Sequence, residues 1–249
     1  TRYIGDWSSD VCSSDLALIG TTDIPYEGRP EDVAADESEI DYLIKVVNRY
    51  FKRGLARGDL VYSFSGVRPL YDDNADNPSA VTRDYIFELD APDAQAPLLS
   101  VFGGKITTFR KLAEHALDRI APFFPHMGKP WTAKAYLPGG DIANADFEQF
   151  LGDLAGEYPW MPASLLKHYG RLYGTRTRAL VGGARSLDEL GRCFGKDFFE
   201  REANYLFDRE WAVTSADILE RRTKHGLHLS AEERAAFEHW CANRLARAG

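Results

Sequence analysis

The chain has 249 residues, 44% of them hydrophobic and 27% charged, with a formal net charge of -8. That is enough apolar material for one large domain or two ordinary ones with real cores. The acidic balance argues against nucleic acid as a partner, because such binding rests on clustered Lys and Arg, and no apolar run approaches the roughly 18 residues that span a bilayer.

Cys12, Cys193 and Cys241 form no C-x-x-C pair and sit in no Cys/His cluster. A zinc framework or disulfide scaffold is not expected, and a reducing compartment fits better. No metal site is expected either. His225 and His228 are close in sequence, but no carboxylate or third ligand accompanies them, so they read as surface polar residues.

Three zones follow one another. Residues 1–16 contain "DWSSDVCSSDL", rich in Ser and Asp and without periodicity. The string matches the translation of a common short-read sequencing adapter, so this leader is expected to be foreign to the natural protein and is set aside from fold reasoning.

Residues 17–128 read as α/β. "ALIGTTD" is expected to be a strand ending in a polar turn. In "ESEIDYLIKVVNRYF" the apolar residues Ile40, Leu43, Ile44, Val47 and Phe51 recur at three- and four-residue steps, one face of a helix, with Gly54 near its C-cap. "DLVYSFSGVRPLYDD" is a β-rich run closed by Pro69 and an Asp/Asn turn. "TRDYIFELD" alternates as a strand, with Tyr85 and Phe87 on one side. "PLLSVFGGKITTFRKLAEHAL" predicts a buried strand, a glycine turn and a helix.

Residues 129–249 open with the Pro/Gly-rich linker "GKPWTAKAYLPGGD" and then read as almost wholly helical, over 144–155, 162–173, 177–182, 186–191, 198–211, 214–223 and 230–247. Ser230 with Glu233 forms a capping-box pattern, and Thr214 with Asp217 a weaker one.

The strand–glycine–helix junction is the candidate for chemistry. Gly103 and Gly104 permit a sharp turn and close approach, Lys105 adds positive charge, and Thr107 and Thr108 can cap the helix. A helix N-terminus with free N–H groups suits an anion, such as the negative side of a reduced flavin. The competing reading is an ordinary structural corner. Arg68 in "SGVRPL" and Arg83 in "VTRDY" are planar cations suited to carboxylate or phosphate. They read equally as partners of Asp72, Asp73 or Asp84 at the surface.

Together "LIGTTDIPYEG", "SGVRPLYDD", "AVTRDYIFELD", "FGGKITTFRKLAEHA", "LPGGD" and "RRTKHGL" resemble, in collinear order over 17–249, the C-terminal half of FAD-dependent, quinone-linked aerobic glycerol-3-phosphate dehydrogenases. The resemblance implies part of a two-dinucleotide-binding FAD/substrate domain over 17–128, followed by an all-α C-terminal domain over 129–249. It implies oxidation of sn-glycerol 3-phosphate to dihydroxyacetone phosphate, with a hydride passing to FAD and electrons to quinone. Residue by residue, it makes Arg68, Arg83 and Lys105 the active-site cations. It makes Gly103, Gly104, Lys105, Ile106 and Thr107 the loop against the flavin ring. It further implies a cytoplasmic protein, peripheral on the inner face of the bacterial cytoplasmic membrane, and is compatible with a homodimer.

The family's G-x-G-x-x-G fingerprint is not found here, so the flavin site is expected to be incomplete and the chain inactive alone. A glycerol-3-phosphate oxidase, another FAD oxidoreductase of the same superfamily, and a helical interaction or regulatory module remain the alternatives.

Overall fold

In a computed structural model the described residues are 16–67, 84–93 and 95–248. The leader up to residue 15 lies outside them, as does the stretch 68–83 that contains Arg68 and Arg83. The chain divides into two compact units, one comprising Thr21–Ala135 and the other carrying Tyr136–Gly249.

In the first unit, helix α1 spans Glu37–Tyr50. It starts at a reciprocal cap: Glu39 N–H donates to Asp36 Oδ1 at 2.9 Å, and Asp36 N–H to Glu39 Oε2 at 3.1 Å. This D-x-x-E pattern satisfies two of the free amides of the first turn. Ile40, Leu43, Ile44 and Val47 line the covered side as the spacing predicts. Phe51 does not join them. It is the extended C-cap, 53% exposed. Gly54 is not the stop either. Asn48 ends the helix by holding Leu55 through both amide atoms, at 2.7 and 2.9 Å.

Strands β1 (Tyr85–Asp90) and β2 (Leu98–Gly103) form an antiparallel hairpin with Tyr85 opposite Gly103. Helix α2, Phe109–Ile120, follows after a 3-10 turn over Ile106–Thr108. The expected strand in "ALIGTTD" is not formed, and residues 61–67 join no ladder among the described residues. A strand exists only through its neighbours, and β-rich composition does not supply one. Nor is β2 buried: Leu98, Val101 and Phe102 are 63%, 44% and 39% exposed. Among the described residues, Val47 is the one apolar side chain of this unit that is buried.

The second unit has a continuous core. Helices α3 (Phe147–Glu157), α4 (Ala163–Tyr173), α5 (Thr177–Val181), α6 (Glu200–Arg209) and α7 (Ala231–Ala248) carry it. Leu154, Leu165, Leu206, Ile218, Leu219 and Phe237 are essentially inaccessible to solvent. Each such side chain contributes about 1.5–3 kcal/mol through removal from water.

The zone departs from wholly helical at three places. Cys193–Gly195 (β3) and Phe198–Phe199 (β4) make a small hairpin, so α6 begins at Glu200 rather than 198. The stretch around 186–191 is only a 3-10 turn, stopped at Gly191 with φ 80. Over Asp217–Arg222 the helix widens into a π turn, because Thr223 donates both its N–H (3.1 Å) and its hydroxyl (2.7 Å) to the Ile218 carbonyl. Both capping patterns form. Ser230 N–H reaches Glu233 at 2.8 Å, and Thr214 N–H reaches Asp217 at 2.8 Å. No helix among the described residues is long and apolar enough to cross a membrane.

Candidate functional site

The β2–α2 junction has the geometry that its glycines imply. Gly103 and Gly104 both adopt positive φ, 70 and 98. A Cβ on Gly104 would lie 2.9 Å from Leu112 Cδ1 and 3.4 Å from Tyr85 Cβ, so the second glycine lets the helix seat against the hairpin. Tyr85 reinforces that seat, its hydroxyl meeting His115 Nδ1 at 2.5 Å.

Beyond the glycines the turn is open. Lys105 and Thr107 are exposed, and Ile106 is 88% exposed. Thr108 does not cap α2. Its hydroxyl donates instead to the Lys105 carbonyl at 2.9 Å, and no side chain caps the first turn. The junction therefore presents a cation, an exposed apolar side chain and a 3-10 turn running into α2, whose Thr108 and Phe109 N–H groups are taken by the Lys105 and Ile106 carbonyls, leaving those of Ile106 and Thr107 at its leading edge. That donor set suits a flat, partly anionic group with an apolar face. Of the predicted site residues, Gly103, Gly104, Lys105, Ile106 and Thr107 come together here. Arg68 and Arg83 lie outside the described residues.

In the second unit the "LPGGD" motif closes a backbone clasp. Gly139 (φ 87) and Gly174 (φ 54) approach so closely that a Cβ on either would collide with the other's backbone region. Thr175 N–H donates to the Gly139 carbonyl at 3.0 Å. The Thr175 hydroxyl donates to Asp141 and holds that carboxyl below its ordinary range. Tyr136, Leu137, Asp141 and Arg176 line a shallow cleft beside the clasp.

One cluster was missed by sequence reasoning. His225 is not a surface residue; it is fully buried, and a carboxylate and a second histidine stand beside it. Glu202 on α6, also fully buried, takes hydrogen bonds from His168 Nε2 at 2.9 Å, His225 Nε2 at 3.2 Å and the Tyr173 hydroxyl at 2.7 Å. The ring of Phe198 stacks on His225, centroids 4.3 Å apart. Burial opposes ionisation of Glu202, but the two imidazoles outweigh it and hold its carboxyl far below the usual range. Burial depresses His225, more than the adjacent Glu202 raises it.

The donor atoms of His168, Glu202 and His225 lie within 4.8 Å of one another. The two Nε2 atoms nevertheless meet different carboxylate oxygens at hydrogen-bond distance, and Tyr173 takes a third acceptor position. The carboxylate is satisfied without an ion. The available sequence signal was a polar residue set within an apolar stripe: His168 between Leu165 and Tyr169, and Glu202 between Phe199 and Leu206.

No protein-family model matches the chain. Three curated relatives align with most of it. D-erythritol 1-phosphate dehydrogenase of Brucella abortus is 64% identical over 229 residues, 92% of this chain and 45% of that protein. Aerobic glycerol-3-phosphate dehydrogenase of Escherichia coli is 46% identical over 226 residues, 91% of this chain and 45% of that protein. Glycerol-3-phosphate dehydrogenase of Pseudomonas aeruginosa is 48% identical over 218 residues, 88% of this chain and 42% of that protein. The chain thus spans about half the length of the curated relatives it matches.

Proposed function

We propose that this chain, homologous over nearly all its length to proteins named glycerol-3-phosphate dehydrogenase, forms the C-terminal part of a flavin-dependent enzyme that oxidises the secondary alcohol of a phosphorylated polyol. The substrate is glycerol 3-phosphate and the product dihydroxyacetone phosphate. The observation that carries this reading is the β2–α2 junction, where a positive-φ glycine pair is followed directly by Lys105, exposed Ile106 and the 3-10 turn that opens α2. FAD, when bound, supplies the hydride acceptor.

Gly103, Gly104, Ile106 and Thr107 would line the flavin ring, and Lys105 would place positive charge at its electron-rich edge. Arg68 and Arg83 would hold the phosphate and orient the secondary alcohol, as planar guanidinium groups suit that anion. Preorganised charge of this kind acts most strongly where water is excluded. Electrons leave to quinone at a membrane surface, and a homodimer is the assembly proposed. The chain by itself lacks the rest of the flavin site and does not turn over.

Two measurements test this. The isolated chain should purify without a flavin absorption band and without dye-reducing activity; either one would refute its incompleteness. In the full-length enzyme, Lys105→Met should lower kcat and kcat/KM together, by about 10²-fold or more for a lost charge contact in the transition state. Unchanged kinetics would remove Lys105 from the site. Arg68→Ala and Arg83→Ala separate uniform substrate binding, seen in KM alone, from transition-state stabilisation, seen in kcat.

A second reading is favoured by one observation. The relative named for D-erythritol 1-phosphate is 64% identical, against 46% and 48% for those named for glycerol 3-phosphate. Both substrates present a phosphorylated primary carbon beside a secondary alcohol, so the same three cations serve either. The four-carbon polyol adds one hydroxyl, and a site built to bond it discriminates strongly against the shorter substrate. Comparing kcat/KM for the two phosphates in the full-length protein decides between them.

A further inference from the structure

We propose that the Glu202 cluster is an acid-released latch that holds the helical unit together. One buried carboxylate joins three separate pieces of chain. His168 and Tyr173 reach it from α4, Glu202 itself stands on α6, and His225 comes from the turn after the π segment. The donors are filled by geometry rather than by solvent: His168, Glu202 and His225 are 3%, 0% and 0% exposed. Removing the charge from such a carboxylate, or placing a charge on a buried neutral imidazole, carries a desolvation cost in a network that water cannot reach.

The charged and titratable groups around the cluster are few. Asp197 acts on His225 from the β3–β4 turn and Glu210 on Tyr173 from the end of α6, while Arg201 on α6 and Cys193 on β3 act on Tyr169 of α4, which packs beside Tyr173, as does Tyr205 of α6. His168 Nδ1 and the hydroxyls of Tyr169 and Tyr205 have no partner among the described residues, so a proton added at His168 Nδ1 would meet no described acceptor.

The sign follows from the two groups whose shifts point the same way. His225 binds its proton less readily when folded than at its ordinary 6.5, so its contribution is complete above that pH and is lost as pH falls below it. Glu202 is likewise held below its ordinary 4.5, and its contribution is lost as pH falls further. Both signs run the same way, so the latch weakens as the pH falls.

The experiment is a thermal melt of the chain across pH, with His225→Gln beside the wild type. Gln keeps an N–H toward Glu202 and cannot titrate. The wild-type Tm should fall by about 3–6 °C per pH unit between about pH 6.5 and 5, and His225→Gln should flatten that slope. A slope identical in the two proteins overturns the proposal. If His225→Gln fails to fold, imidazole NMR of the wild type decides: His225 should take up its proton only as the unit opens, and a smooth titration within the folded protein refutes the latch. Stoichiometric Zn²⁺ binding after chelator treatment, lost in Glu202→Gln, would also overturn it by making the cluster a metal centre.

Discussion

Gly174→Ala adds one methyl group at the point where the "LPGGD" loop clasps the end of α4. The residue sits at φ 54, ψ -133, a region open to glycine and strained for any other residue. Strain of that kind costs about 1–3 kcal/mol. The new Cβ would also collide with the Gly139 carbonyl oxygen, which accepts the Thr175 N–H at 3.0 Å. Losing that bond adds about 0.5–1.5 kcal/mol. The sum is a loss of about 2–4 kcal/mol. With a urea slope of about 2 kcal/mol per molar, the unfolding midpoint should fall by roughly 1–2 M. The control is Gly183→Ala, where nothing lies within 4 Å of the added Cβ. That variant should stay within about 0.5 kcal/mol of the wild type. Equal midpoints for the two variants would refute the clasp as a constraint on the fold.

The two described cysteines should differ sharply toward a thiol reagent. Cys193 is exposed, whereas burial pushes the Cys241 thiol up to about 11. In a Cys12→Ser background one thiol should react at once and the second only on unfolding; two fast equivalents would contradict the packing of α7. Asp217 accepts from the backbone of Val213 and Thr214, which lower its carboxyl from 3.8 to about 2. Its stabilisation is therefore present above 3.8 and lost as pH falls toward 2. Asp217→Asn, which keeps an acceptor but loses the charge, should cost about 0.3–1 kcal/mol near neutral pH, and the gap from wild type should close on acidification; a gap independent of pH would deny the carboxylate its role.

Much of the fold was written in local spacing. The α1 stripe, the Tyr85–Phe87 alternation and the Ser230–Glu233 cap depend on neighbours within four residues, so a linear reading finds them. The strand expected in "ALIGTTD" and the burial expected for β2 depend on partners elsewhere, which periodicity cannot supply. The candidate site was legible for the same reason: Gly103 to Thr107 is one contiguous motif whose turn demands glycine. The Glu202 cluster was not. Its histidines stand 34 residues before and 23 residues after the carboxylate, and only the hydrogen bonds that His168 of α4 and His225 of the later turn make to Glu202 show that both turn inward. The expectation of surface histidines fails at His225 because the carboxylate and histidine that meet it lie far off in sequence.

The uneven distribution of core between the two units has a calorimetric consequence. A cooperative transition needs buried apolar surface to expose, and the heat-capacity step scales with that area. Among the described residues the buried apolar side chains belong to the helical unit, with Val47 the exception. A heat-capacity scan of this chain would therefore show a step and an enthalpy drawn mainly from the helical unit. Per-residue values computed over all 249 would come out low, and the two-state test would have to be applied to the helical unit alone.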